Sequence, residues 1–137
     1  MFISHLNSTI MEKNIIVTTG IYDVIKDHVR RKKVTKAEED RLLAELKNAK
    51  QVRRRELPDT AVTVNRRVTI LDHSNQEKKE YIFVPTTRVK LKKNKHSILS
   101  DMALATVGYC VGDTIEWPFR TGKKKIEIVK VEPFEQL

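Results

Sequence analysis

Three adjacent carboxylates, Glu38, Glu39 and Asp40, are the side chains whose type and position could support metal chemistry. Neighbouring acidic side chains can share a hard divalent cation through their oxygen atoms. Consecutive residues of a helix, however, do not share a face, which disfavours a common ion. Glu38 also lies three residues after Thr35, the spacing of a capping box, and acids in a first turn stabilise the helix N-terminus. We therefore predict a structural role for these acids and no metal site.

The basic residues are the second group with chemical potential, because they are clustered. The 137-residue chain has a formal net charge of +9, and residues 26–55 hold twelve basic against five acidic residues. Such clusters can steer a protein onto an acidic protein surface or a phosphate backbone, or they can be solvated helix faces. Aromatic residues do not alternate with them as a base-stacking platform requires. The clusters are Arg30, Arg31, Lys32 and Lys33; Arg53, Arg54 and Arg55; and residues 88–95.

The sequence contains no pattern typical of an enzyme active site. The four histidines (His5, His28, His73 and His96) have no ligand spacing, and no catalytic triad or phosphate-loop motif is present. Cys110 is the only cysteine, which excludes an internal disulfide and fits a reducing compartment. We expect it to be a small buried hydrophobic residue. No run of about 18 apolar residues occurs. These features predict a cytoplasmic protein that is not an enzyme and needs no cofactor.

Two helices are predicted before residue 57. The apolar stripe of the first consists of Ile21, Val24, Ile25, His28 and Val29, at helical spacing. The second begins with the capping box at Thr35, continues to about residue 52 and is ended by Pro58. About two residues separate the helices, which predicts an antiparallel hairpin with helices of roughly 20 and 25 Å.

After residue 61 the hydrophobic period changes to two, which indicates strands. Strands are predicted at 61–72, 80–85, 96–99, 114–119 and 124–133, with a short helix at 101–108 that Gly108 closes. The sequence "RTGK" between the last two strands indicates a hairpin turn. The predicted fold is therefore α+β, an antiparallel sheet preceded by a helical hairpin. The predicted parts are a flexible tail (1–14), a short coiled-coil hairpin (15–56) that projects from the sheet, and a sheet domain (57–137).

Four segments, taken in order, resemble the C-terminal domain of the GreA/GreB transcript-cleavage factors over residues 57–132. They are "LPDTAVTVNRRVTILD", "EYIFV", "SILSDMALATVGYCVGDTIEW" and "KKIEIVKVE". The segment "AELKNAKQVRRRELP" is also similar to the second helix of the Gre coiled coil. Because the predicted hairpin is shorter than that coiled coil, the chain most resembles the short-hairpin, Rnk-like members. The resemblance implies an FKBP-like sheet domain that carries a helical hairpin.

The resemblance also implies a partner and a mode of binding. It implies docking at the rim of the RNA polymerase secondary channel, with the basic hairpin residues 30–33 facing the acidic channel lining. The implied docking loop consists of Leu99, Ser100, Asp101 and Met102. Ser100 matches the family pattern, whereas Asp101 stands where the family usually has Pro and Leu104 stands where Arg is common.

The cleavage activity of Gre factors requires an Asp-x-x-Glu pair at the hairpin tip, which chelates a second magnesium ion. The turn here reads "KKVTKAEED" and contains no such pair. A hairpin of about 20–25 Å is also too short to reach the catalytic centre. We therefore predict a regulator of transcription elongation that does not stimulate cleavage. Two alternatives stay open, a nucleic-acid-binding module that uses the basic segments and a peptidyl-prolyl isomerase suggested by the FKBP-like fold.

Overall fold

The computed structural model describes residues 14–134. The predicted tail, residues 1–14, lies outside the described residues apart from Asn14. In chain order the elements are β1 (Ile16–Thr18), α1 (Thr19–Arg30), α2 (Lys36–Lys47), β2 (Lys50–Val52), β3 (Arg66–Asp72), β4 (Glu77–Val84), β5 (Lys95–Ser97), α3 (Asp101–Thr106), β6 (Thr114–Phe119) and β7 (Gly122–Pro133). Short 3₁₀ turns occupy Arg54–Glu56, Thr86–Arg88 and Leu91–Lys93. The predicted α+β fold, a helical hairpin followed by a sheet with one short helix, is confirmed.

Both hairpin helices have 12 residues and begin at a side-chain cap. The Thr18 hydroxyl accepts a hydrogen bond from the Ile21 amide at 3.3 Å at the start of α1. At the start of α2 the Thr35 hydroxyl accepts from the Glu38 amide at 3.1 Å, and the Glu38 carboxylate accepts from the Thr35 amide at 2.8 Å. The predicted capping box is therefore confirmed, since both of its hydrogen bonds are present.

The second helix is shorter than predicted. It ends at Lys47, and Lys50–Val52 forms a strand parallel to Ile16–Thr18. The prediction that this helix reaches residue 52 and stops at Pro58 is wrong, because the backbone after Lys47 hydrogen-bonds to β1. The Lys50 amide donates to the Ile15 carbonyl at 2.9 Å. Helical periodicity cannot reveal this pairing, since the partner strand precedes the hairpin.

The main sheet has five strands in the order β5-β4-β3-β7-β6. All neighbouring strands are antiparallel except β4 and β5, which are parallel. The predicted hairpin turn between β6 and β7 is confirmed, with Phe119 opposite Gly122. The strand expected from residue 61 begins instead at Arg66, and Ala61 makes only an isolated bridge to Cys110.

The hairpin packs on the sheet. The prediction that it projects from the sheet is therefore wrong. Residues of both hairpin helices belong to one hydrophobic core with residues of the sheet; they include Ile21, Ile25, Val29, Leu42, Leu46, Trp117, Ile126 and Ile128. Helices of this length are marginal in water unless an apolar face is buried, which explains the packing. The core therefore continues across the boundary predicted at residue 57.

Gly108 joins β1 to the sheet domain. Its φ angle is +86°, and a Cβ atom added to it would lie 2.7 Å from the Cβ of Ile15. The Ile16 amide donates to the Gly108 carbonyl at 3.1 Å, and the Gly108 amide donates to the Val62 carbonyl at 3.0 Å. Only glycine meets both the left-handed conformation and the close approach at this position.

Candidate docking site

The predicted docking loop, residues 99–102, is only partly a loop: Leu99 and Ser100 connect β5 to α3, whereas Asp101 and Met102 form the first turn of α3. Ser97 holds its beginning, because the Ser97 hydroxyl accepts from the Leu99 amide at 3.0 Å and lies 2.8 Å from the Thr86 hydroxyl. Ser100 occupies the N-cap position of α3, but its own hydroxyl makes no hydrogen bond within the described residues. Asp101 is exposed and Met102 is half-buried against the core.

The docking loop forms one wall of an open groove of about 600 Å³, and α1 forms the opposite wall. Leu99 and Ser100 line the loop side, and Val24 and His28 line the helix side. Val24 is 42% exposed, although it lies on the apolar stripe predicted for this helix. The structure thus brings two of the four predicted docking residues next to α1, and Asp101 and Met102 lie outside this lining.

The end of the groove beside the hairpin turn is basic. Arg31 and Lys33 line this end. Asp27 pairs with Arg30 and with Arg31, whose Nε atom is 2.9 Å from a carboxylate oxygen. The ammonium group of Lys33 has no ion-pair partner among residues 14–134. Burial and the nearby charge of Lys33 lower the pKa of His28, which favours its neutral form. Near the turn the cations Arg30, Arg31 and Lys33 therefore outnumber the one carboxylate, Asp27, whereas Asp23, about one helical turn earlier on α1, adds a second carboxylate to the groove lining.

The predicted basic clusters lie on different elements, with residues 88–95 on two 3₁₀ turns and the start of β5. Residues 30–33 lie at the hairpin turn, where the Lys33 carbonyl accepts from the Arg120 guanidinium at 3.4 Å. The cluster 53–55 lies at the 3₁₀ turn beyond β2. Arg53 pairs there with Glu56 at 3.5 Å, and Arg54 donates to the Val64 carbonyl at 3.1 Å. Much of this second cluster therefore serves local structure.

The three acids at the start of α2 are separated by their surroundings. Glu38 is 1% exposed and caps the helix, so it is not a surface acid of the tip. Glu39 pairs with Lys32 at 3.3 Å, and Asp40 pairs with Lys36 at 3.2 Å. Across residues 14–134, no three His, Cys, Asp or Glu side chains are grouped so that they could hold a metal ion.

A polar cluster that the sequence analysis missed connects α2 to the sheet domain. The Tyr109 hydroxyl donates to Glu45 Oε2 at 2.5 Å, and Arg41 Nε lies 3.3 Å from the same oxygen. Arg41 also donates to the Glu116 carbonyl at 2.5 Å and lies over the Trp117 ring, 5.3 Å from its centre. Burial raises the pKa of Glu45 to about 7 despite these partners, and burial also raises the pKa of Tyr109.

Helical spacing could have predicted that Glu45 is buried, whereas no sequence pattern indicates the groove between α1 and the docking loop. Glu45 lies three residues after Leu42 and next to Leu46, on the buried face of α2. A carboxylate on such a face needs a hydrogen-bonding partner, because an unpaired buried charge is costly. The two walls of the groove, in contrast, come from distant parts of the chain.

Two remaining sequence observations concern the burial of Cys110 and the length and polarity of the helices. The sequence predicts that Cys110 is fully buried, but the structure shows it half-buried. Cys110 lies at the start of the exposed loop that precedes β6. In the part of the chain that the structure describes, every helix is too short or too polar to cross a membrane.

Comparison with known proteins identifies the family of the chain. The family described as "Transcription elongation factor, GreA/GreB, C-term" matches residues 57–133. Transcription elongation factor GreA of Rickettsia canadensis is 37% identical over 65 residues, which cover 47% of this chain and 40% of the relative. GreA of a Methylobacterium species is 33% identical over 75 residues, which cover 55% of this chain and 48% of the relative. The chain thus spans less than half the length of these curated relatives.

A solved structure resembles almost the whole chain. It is a prokaryotic transcription elongation factor GreA/GreB from Nitrosomonas europaea, with 29% sequence identity and a TM-score of 0.63. The match covers 88% of this chain and 99% of the solved chain, so it includes the hairpin. Because the family match covers more than half of the sequence and the fold agrees, the chain belongs to the GreA/GreB transcription elongation factor family.

Proposed function

We propose that this chain binds RNA polymerase at the rim of the secondary channel and regulates transcription elongation without stimulating transcript cleavage. The observation that carries the proposal is the family match of residues 57–133, within which the docking loop is held at the edge of an open groove. The relatives are named as transcription elongation factors. The proposed role is non-catalytic, by occupying the channel mouth or competing with Gre-type factors.

The short hairpin supports the absence of cleavage stimulation. Each helix has 12 residues, which corresponds to about 18 Å. The acids at the tip are engaged within the chain, since Glu38 caps α2 and Glu39 pairs with Lys32. The turn also contacts Arg120 of the sheet domain, which would restrain the hairpin from extending into the channel. These features favour a short-hairpin, Rnk-like regulator.

The test is capture of purified core RNA polymerase by the immobilised protein. Ser100→Arg should weaken capture by roughly tenfold because a bulky side chain replaces a small one beside Leu99, and Asp101→Lys should do so because it removes the exposed carboxylate next to the groove. Asp59→Lys is the matched control, since Asp59 is exposed in a different loop, and it should bind like the wild type. Thermal melts would verify that Ser100→Arg, which replaces a buried hydroxyl, remains folded.

Three results would contradict the proposal. Undiminished capture by both docking-loop variants would remove the loop from the interface. Gre-like shortening of RNA in backtracked complexes would contradict the absence of cleavage stimulation. Absence of polymerase capture, together with binding to naked RNA or DNA that falls steeply with salt, would indicate the nucleic-acid-binding alternative.

A further inference from the structure

We infer that α1 is the second wall of the docking site and that the groove receives a segment of RNA polymerase with an apolar side chain beside carboxylates. This inference rests on the proposed function and deepens it. The docking loop supplies one wall, through Leu99 and Ser100. The opposite wall comes from Val24, Arg31 and Lys33, at or just after α1, so the hairpin takes part in recognition.

The apolar part of the groove is exposed where a soluble surface would usually be polar. Val24 is 42% exposed, whereas Ile21 and Ile25 of the same helix are buried in the core. Leu99 is half-buried on the opposite wall. Apolar side chains that face each other across an open groove lose water when an apolar side chain enters between them. This position therefore suits an apolar anchor residue of the partner.

The charges that line the groove differ along its length: Asp23 lies on the first part of α1, whereas Arg31 and Lys33 lie at the hairpin turn, so we expect the carboxylate of the partner at the turn end. Asp27 offsets part of the charge of Arg30 and Arg31, but Lys33 has no such partner among the described residues. Lys33 and His28 both line the groove. An Arg or Lys at the edge of a contact pairs well with a carboxylate and steers the encounter.

A protein segment fits this groove better than a nucleic-acid backbone. The side chains that line it include no Phe, Tyr or Trp ring on which a base could stack, and the imidazole of His28 is partly buried. The exposed Val24 and the half-buried Leu99 would gain nothing from a phosphate. Apolar contact next to a basic rim is the usual arrangement of a protein–protein interface, with a desolvated centre and a polar edge.

Both walls are rigid, so little ordering is required on binding. The buried residues Ile21, Ile25 and Val29 fix α1 on the core. Ser97 holds the other wall by its hydrogen bond to the Leu99 amide. The turn that carries Lys33 is held by the bond from Arg120. A preformed site avoids the entropic cost of ordering loops at the interface.

The experiment measures the affinity of the full chain for core RNA polymerase after a single change in the α1 wall. Val24→Asp places a charge in the apolar part, and Lys33→Glu reverses the unpaired cation. Each variant should weaken binding at least about fivefold. The control for Val24→Asp is Val111→Asp, because Val111 is 40% exposed in another loop. The control for Lys33→Glu is Lys78→Glu. Lys78 is exposed on β4, six positions and about 20 Å from Val84, the residue that pairs with Ser97 of the groove lining.

The outcomes separate this inference from the proposed function. Weaker binding by both α1 variants with unchanged controls supports the composite site. Wild-type affinity of Val24→Asp and Lys33→Glu, while Asp101→Lys still weakens binding, overturns the inference and leaves the proposed function standing. No polymerase binding by the wild type overturns both. If Val24→Asp does not fold, Lys33→Glu decides, because Lys33 lies outside the helices and is exposed.

Discussion

The two helices of the hairpin meet the rest of the protein in opposite ways. The α2 helix is closed against the sheet domain, with Leu42 and Leu46 buried and Glu45 bonded to Tyr109. The α1 helix buries one face in the core but leaves an open groove between its other side and the docking loop. One side of the hairpin is therefore filled by the protein's own side chains, and the other is free for a partner.

This difference would allow a short hairpin to contribute to stability through α2 and, under the proposed function, to recognition through α1. Two 12-residue helices cannot hold a groove wall in place by helix propensity alone. The contact between α2 and the sheet supplies the required anchoring, since it buries apolar side chains and a bonded carboxylate. Changes on the α2 side should therefore affect stability, whereas changes on the α1 side should affect binding.

Replacing Trp117 should have the largest effect on stability. Trp117 is fully buried in the common core and lies beneath Arg41 of α2. Trp117→Ala should reduce the free energy of unfolding by about 3–5 kcal/mol, because it leaves a large cavity. Urea unfolding would measure the loss. The control is Leu43→Ala, a 44% exposed position on α2, where we expect a change within about 0.5 kcal/mol.

A loss below about 1 kcal/mol for Trp117→Ala would contradict the view that this contact is closed and well packed. Equal losses for Trp117→Ala and Leu43→Ala would have the same meaning, because Trp117 is fully buried whereas Leu43 is 44% exposed.

Glu45 should make stability depend on pH near neutrality. Burial raises its pKa to about 7 in the folded state, while the unfolded chain keeps the ordinary value of 4.5. Folding therefore takes up a proton between these values, so this contribution to stability is complete at low pH and falls as pH rises toward 7. Between about pH 5 and pH 8 the wild type should lose about 2 kcal/mol relative to Glu45→Gln.

Parallel urea titrations of the two proteins at several pH values would measure this difference. Comparison with Glu45→Gln cancels the contribution of His28, whose lowered pKa acts in the opposite direction. A constant difference between the two proteins across this range would contradict a buried, titrating carboxylate at the α2 contact.

Truncating Val24 should have the smallest effect on stability. Val24→Ala removes a side chain that is 42% exposed in the open groove, and alanine is the better helix former. The free energy of unfolding should change by no more than about 0.5 kcal/mol in urea titrations. A loss above about 1 kcal/mol would mean that the α1 side is also a packed structural contact, which would remove the contrast between the two helices.

Several local features could be predicted because neighbouring residues determine them. The capping box of Thr35 and Glu38 needs only the correct spacing, and the β6–β7 turn needs only "RTGK" between two strands. The strands β3 and β7 follow from alternating apolar residues. Gly108 after α3 likewise marks the end of a helix, since it alone accepts the left-handed conformation there.

Other features depend on contacts between distant segments. The sequence near Lys50 has the periodicity of a helix, but pairing with Ile16–Thr18 makes it a strand. The charge of Glu45 suggests a solvated position, but its hydrogen bond comes from Tyr109 of the sheet domain. A local pattern does not contain these partners, so it could not decide between the alternatives.

By itself, the sequence determined the succession of a helical hairpin and a sheet and the caps of both hairpin helices, because spacing and turn chemistry act within a few positions. Only the tertiary structure decided that α2 closes on β6, that Glu45 is buried with Tyr109, and that α1 faces Leu99 across a groove. These outcomes depend on which surfaces bury together, and that burial joins residues far apart in the chain.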